Sequence, residues 1–144
     1  MPQRPGQVTA AAVNLIVLGL LVALFGVLAL IAGAAFPTFA DTPEFREQFG
    51  DVSEALGGLL LIVGIIALAY GVLQVVAGIF ILPGRTWARI AGLIVAVLGI
   101  LFSLLGVLPR EGAGGAGNIA FLVLLLAYGF AAWVLASRTS WFRR

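Results

Sequence analysis

Carboxylates are the side chains of this sequence that are best suited to chemistry. The stretch 37–54 holds five of the six acids, namely Asp41, Glu44, Glu47, Asp51 and Glu54. Paired carboxylates can hydrolyse glycosides, but so short a stretch cannot enclose a sugar, and we expect a solvated acidic loop. The chain has no His, Cys or Lys, so imidazole, thiolate and amine chemistry are absent. We therefore predict no enzyme, no catalytic residue, no metal site and no cofactor.

A second set of polar side chains lies inside apolar runs. The main polar groups at depth are Asn14, Tyr70, Gln74, Ser103 and Tyr128. Of these, Asn14, Gln74 and Tyr128 lie in the same half of the membrane and could form one buried cluster. Such groups usually join membrane helices by hydrogen bonds. The alternative is a small pocket for a ligand or a lipid headgroup. No charged residue lies within the uninterrupted apolar stretches, the third of which begins at Ile90, just after Arg89. This argues against a proton or ion pump.

The amino-acid composition indicates that the protein lies in a membrane. Hydrophobic residues make up 62% of the 144 residues, charged residues make up 10%, and the mean hydropathy is +1.19. Soluble domains average roughly 45–50% apolar and about 25% charged residues. Four apolar runs, about 8–36, 55–82, 88–108 and 119–136, are close to or above the length of about 20 residues that crosses a bilayer. We predict an all-α, integral membrane four-helix transmembrane bundle, with residues 1–144 forming a single domain.

Helix boundaries are indicated by prolines and caps. Pro37, Pro83 and Pro109 each fall just outside a run, where a proline ends a helix. The segment Asp51–Glu54 resembles a capping box ahead of the second run. The glycine-rich segment 112–117 predicts a flexible turn, followed by Asn118 as the N-cap of the last helix.

The outer loop 37–54 predicts a short helix of its own. Phe45, Phe49 and Val52 recur at i, i+4 and i+7 with acids between them, which is the pattern of an amphipathic helix. Asp41 or Thr42 would cap this helix, and Pro43 would occupy its first turn. The alternative is a solvated loop.

Arginines predict the orientation. If the termini and the second loop share one side of the membrane, that side holds six of the eight arginines (4, 85, 89, 138, 143 and 144) and the other side holds two (46 and 110). The positive-inside rule then places both termini in the cytoplasm of a multi-pass plasma-membrane protein. Aromatic residues fall near that boundary and predict an interfacial belt of Trp87, Trp133, Trp141 and Phe142.

The second loop is compact and basic. Arg85, Trp87 and Arg89 could together hold an anionic lipid headgroup. The simpler interpretation is that these arginines only determine topology. The arginines form no basic stripe along the chain, so we predict no nucleic-acid partner.

Glycine spacing is the most specific pattern. Glycines recur every seven residues in three runs, at Gly19, Gly26 and Gly33, then Gly57, Gly64, Gly71 and Gly78, then Gly92, Gly99 and Gly106; Gly58 is out of register. A seven-residue repeat predicts left-handed packing, and glycine lets helix backbones approach closely. The glycine faces would meet within one bundle, or one face would point outward and drive homo-oligomerisation or docking onto a larger membrane complex.

The stretch from Gly71 to Gly92 contains a G-x-x-Q-x-x-A-G helix followed by the loop Gly84-Arg-Thr-Trp-Ala-Arg89. It resembles small actinobacterial four-span membrane proteins of unknown function, which have a G-R-x-W-A-R loop between helices two and three. The resemblance implies the fold and the location but no activity. We predict a structural, accessory or assembly subunit that acts through helix packing. The alternative is a small oligomeric transporter or channel for a small molecule or lipid.

Overall fold

The chain is helical throughout most of its length. The computed structural model describes residues 3, 5–50, 52–108 and 115–142, apart from the side chains of Ser53 and Ala116. Its elements are α1 (Gly6–Ala40), α2 (Pro43–Phe49), α3 (Val52–Ile81), α4 (Thr86–Val107), α5 (Gly115–Ser137) and a final 3-10 turn (Thr139–Trp141). Four of the five α-helices are long and apolar enough to cross a membrane, and α2 is the short helix in the first loop. The predicted all-α, four-span fold class is confirmed.

The helices divide into two compact units. The first, which we call the hairpin unit, is Gly19–Leu73 and contains most of α1, α2 and most of α3. The second, the terminal unit, combines Met1–Leu18 with Gln74–Arg144, and so contains the beginning of α1, the end of α3, α4 and α5. Each unit has its own packing and is described separately.

The terminal unit contains the largest fully buried side chains. Leu15 of α1, Ile81 of α3 and Leu135 of α5 are completely buried, and their methyl groups converge on the backbone of α4 at Gly92. Val95 and Val134 are also fully buried. Four helical segments therefore share one apolar centre in this unit, since each contributes a side chain or a backbone surface to it.

The end of α1 differs from the prediction. Pro37 does not end the helix but lies inside α1, which continues to Ala40. A proline in this position removes the amide donor that would otherwise bond the Gly33 carbonyl. The helix resumes because the Asp41 amide donates to the Pro37 carbonyl at 3.2 Å. The loss of one bond so close to the helix end is tolerated.

Two other predicted boundaries are wrong. Val52 does not belong to the loop helix: α2 ends at Phe49, Gly50 adopts a φ of +49°, and Val52 begins α3. Asn118 is not an N-cap, because α5 already begins at Gly115 and Asn118 lies inside its first turns.

Other boundary predictions have different outcomes. Pro83 follows the end of α3 at Ile81, as expected. Pro109, the Asp51 member of the capping box and residues 112–114 of the glycine-rich turn lie outside the described residues. The same is true of Arg4, Arg110, Arg143 and Arg144, so these arginines enter the orientation argument through the sequence alone.

Candidate functional site

The glycine register of the hairpin unit faces inward. A Cβ at Gly71 would lie 2.5 Å from the Ala23 backbone nitrogen and 2.7 Å from the Gly19 carbonyl oxygen. A Cβ at Gly26 would lie 2.5 Å from the Leu68 backbone nitrogen and 2.9 Å from the carbonyl oxygen of Gly64. The backbones of α1 and α3 therefore touch at these positions, where no larger residue fits without separating them. Gly33 and Gly57 meet the side chains of Leu61 and Phe36 respectively.

The register glycines of the terminal unit also face neighbouring helices. Gly78 packs against α1 at Ala12 and Ile16. Gly99 lies under the ring of Tyr128, where a Cβ would be 2.6 Å from the ring atoms, and Gly106 meets the ring of Phe121 in the same way. A Cβ at Gly58, which is out of register in α3, would meet nothing within 4 Å, and the same is true of Gly6 at the start of α1. The glycines in register therefore contact neighbouring helices, whereas Gly58 does not.

The predicted polar residues at depth come together in the terminal unit. Gln74 is fully buried, and its amide contacts the Tyr128 hydroxyl at 3.1 Å through Nε2 and at 3.3 Å through Oε1. The Asn14 Nδ2 donates to the carbonyl of Ala127, the residue before Tyr128, at 2.8 Å. Helices α1, α3 and α5 are therefore joined by side-chain hydrogen bonds. Each such bond contributes about 0.6 kcal/mol, with a maximum near 1.7 kcal/mol.

Ser103 behaves differently. Its Oγ donates to the Gly99 carbonyl at 2.7 Å, one turn back in α4, and the side chain is fully buried. Its hydroxyl therefore bonds its own helix and does not join the cluster. A sequence cannot distinguish these two outcomes, since both place a small polar residue on the glycine face.

The second loop and the chain ends meet in the terminal unit. Arg89 Nε donates to the Leu135 carbonyl at 2.7 Å, and its guanidinium lies 5.9 Å from the Phe142 ring centroid. Arg85 is exposed at the N-cap of α4, and Trp87 is exposed and packs on Phe80 with ring centroids 5.1 Å apart. Arg89 thus stabilises the fold, while Arg85 and Trp87 present their side chains outward.

The C-terminal segment docks on the second loop, a contact that no sequence pattern indicated. Thr86 Oγ1 donates to the Phe142 carbonyl at 2.9 Å. Gly84 adopts a φ of +80°, and a Cβ there would lie 2.9 Å from the Trp141 carbonyl oxygen. Phe142 is buried, unlike the exposed Trp133, so it does not belong to an interfacial belt.

The two ends of the described chain are also in contact. Arg138 Nε and Nη2 both donate to the Gln7 Oε1, at 2.9 and 2.6 Å. The start of α1, the loop between α3 and α4 and the segment after α5 therefore lie at one end of the terminal unit. The predicted topology, with both termini and the second loop on one side of the membrane, requires this arrangement.

The described carboxylates of the first loop lie on the surface of the hairpin unit. The four described acids of the first loop, Asp41, Glu44, Glu47 and Glu54, are all exposed. Asp41 accepts from Arg46 Nη2 at 2.8 Å, and both of these side chains are mostly in solvent. Thr42 occupies the N-cap position of α2, but its hydroxyl donates to the Phe39 carbonyl and makes no cap bond. Exposed, separately solvated acids lack the environment that tunes catalytic carboxyls.

Comparisons of the chain with family models, with curated proteins and with solved structures found no match.

Proposed function

We propose that the protein is a structural or accessory subunit of the plasma membrane that packs with itself or with a larger membrane assembly. The observation that supports it is the engagement of the polar groups at depth. Asn14, Gln74, Tyr128 and Ser103 all bond groups of the same chain. A transporter or channel, the second possibility, needs polar groups that face a path for its substrate, and bonded side chains are poorly suited to that task.

The surface available to such a partner differs from the glycine faces. Each register glycine from Gly26 to Gly106 lies against neighbouring residues of its own unit. The outward positions of α4 and α5 carry large side chains, with Phe102 and Leu126 among the most exposed. A partner would therefore pack against aliphatic and aromatic ridges and not against a glycine groove.

Photo-cross-linking in native membranes tests this role. The chain has no Lys or Cys, so standard amine and thiol reagents are poorly suited to it. A benzophenone side chain placed at Phe102 or Leu126 should give one reproducible larger product in each case. The same probe at Leu15, which is fully buried, should give none. Recovery of monomer alone from both outward positions would argue against the proposal.

We also propose that both termini and the second loop face the cytoplasm. The contacts of Arg138 with Gln7 and of Thr86 with Phe142 support a shared side for these segments, and the arginine distribution supports the direction. Single cysteines are diagnostic in a chain that has none. A Glu47→Cys variant should react with an impermeant maleimide on intact cells, whereas Thr139→Cys should react only after lysis. The reverse pattern would invert the topology.

The second loop is the proposed contact for anionic lipid headgroups. Arg85 and Trp87 are exposed side by side, while Arg89 is held by Leu135 and Phe142. The sequence of this second loop, residues 84–89, is also the basis on which we propose a relation to small actinobacterial four-span proteins. Native mass spectrometry should show fewer retained phosphatidylglycerol molecules for Arg85→Gln than for the control Arg46→Gln. Equal retention would leave the loop a topological signal only.

A further inference from the structure

The hairpin unit contains a cavity that none of the packing described above explains. Its volume is about 380 Å³, within the range of small-molecule sites. It lies where α1, α2 and the start of α3 meet. It is lined by ten residues, Gly33, Phe36, Pro37, Ala40, Asp41, Arg46, Glu54, Gly57, Gly58 and Leu61.

The apolar part of the lining is aromatic and aliphatic. Phe36 and Leu61 contribute it, and Phe36 is held in place by the ring of Phe45, with centroids 5.4 Å apart at an interplanar angle of 84°. Phe45 in turn stacks on Phe49 at 4.6 Å. The short helix α2 therefore supports one wall of the cavity, because its two aromatic rings form one cluster with Phe36, edge to face at Phe45 and stacked between Phe45 and Phe49.

Gly58 gives the cavity part of its space. It is the glycine outside the seven-residue register, it is exposed, and a Cβ there would meet nothing within 4 Å. Helix packing does not require a glycine at this position, whereas a Cβ at the neighbouring Gly57 would lie 3.2 Å from the Phe36 ring. A large side chain at residue 58 would project into or across the cavity.

The charge of the lining is negative. Arg46 is neutralised by Asp41, whose Oδ1 lies 2.8 Å from Nη2. Glu54 forms no ion pair with any residue in the described part of the chain. The neighbouring α2 acids, Glu44 and Glu47, add negative charge outside the lining. An anionic ligand would be repelled, whereas a cation would find an unpaired carboxylate beside an aromatic ring.

We infer that this cavity binds a hydrophobic organic cation, such as a quaternary ammonium or phosphonium ion with an apolar body. The apolar body would contact Phe36 and Leu61, and the positive charge would lie near Glu54 and the face of Phe36. Aromatic faces attract such cations electrostatically, which is how proteins recognise quaternary ammonium groups. The inference concerns a ligand site and does not depend on the proposed accessory role or on the orientation.

A matched pair of probes tests the charge. Tetraphenylphosphonium and tetraphenylborate have almost the same shape and opposite charge. We expect the purified full-length protein in uncharged detergent to bind the cation above the micelle background in equilibrium dialysis, and to bind the anion no better than background. Equal binding of the two ions, or preference for the anion, would overturn the inference.

Variants of the lining test the position. Glu54→Gln should weaken binding of tetraphenylphosphonium about two- to fivefold, the range expected for one exposed charge or cation–π contact. Arg46→Gln should strengthen it by a similar factor, because Asp41 loses its partner. Gly58→Leu should abolish it by filling the space. Glu44→Gln, an acid outside the lining, is the control and should change nothing; an unaltered affinity in all three lining variants would refute the site.

Discussion

Replacing Gly71 by alanine should separate the two helices of the hairpin unit. The new Cβ would lie 2.5, 2.7 and 2.9 Å from three atoms of α1, all of them backbone atoms of Gly19 and Ala23. Ordinary contact begins at 3.4 Å, so the helices must move apart by about 0.9 Å at this point. No side chain can rotate away to relieve the clash, since the atoms involved belong to the helix itself.

The expected magnitude follows from two opposing effects. Overpacking of this kind costs about 1–3 kcal/mol, and a gap of 0.5–1 Å at neighbouring contacts forfeits roughly a quarter to a half of their dispersion energy. Alanine's better helix propensity returns about 0.5–1 kcal/mol. Gly71→Ala should therefore lower the free energy of unfolding by about 1 kcal/mol, within a range of about 0–2.5 kcal/mol.

Gly58→Ala is the matched control, on the same helix and with the same chemical change. A Cβ at Gly58 meets nothing within 4 Å, so only the propensity gain applies and stability should be unchanged or higher by up to about 1 kcal/mol. Unfolding by sodium dodecyl sulfate from mild detergent micelles, followed by circular dichroism, measures both. If Gly71→Ala were as stable as Gly58→Ala, close backbone contact between α1 and α3 would be refuted.

Three further predictions concern the terminal unit. Gly84→Ala should destabilise by about 1–2 kcal/mol in the same unfolding assay, because an L-residue at φ +80° is strained and its Cβ meets the C-terminal segment; an unchanged midpoint would contradict this. Tyr128→Phe should cost about 0.6 kcal/mol, and a double-mutant cycle with Gln74→Leu should assign most of that loss to their shared hydrogen bond. Zero coupling would mean that the bond contributes nothing. A Gln7→Cys, Arg138→Cys protein should be joined internally by a short bis-maleimide and migrate faster on a denaturing gel, whereas either single variant should not.

The number of helices was predictable from the number and length of the apolar runs, and the glycine contacts were predictable from the seven-residue spacing. An apolar run of membrane length has few alternatives to a helix, and a glycine every seventh residue marks the face on which α1 and α3 touch. The register also excluded Gly58 from that face. Whether these faces meet within one chain was not predictable, since a sequence with one copy of each helix does not say which helix is the neighbour.

Helix boundaries and the docking of the C-terminus were less predictable. Pro37 and Asn118 have local preferences for helix ends, but the helices extend past both residues. The burial of Phe142 depends on contacts with Thr86 and Arg89, more than fifty positions earlier in the chain. Local propensity carries no information about such pairs. The cavity depends in the same way on the arrangement of three helices.

The contact between Arg138 and Gln7 has a consequence for biosynthesis. It joins two residues that lie 131 positions apart in the chain. The hairpin unit is a continuous segment, Gly19–Leu73, and its helices can pair while α4 and α5 are still being made. The end of the terminal unit can close only after Arg138 has been synthesised. A variant without residues from Arg138 onward would lack the partner of Gln7 and leave that end of the unit open.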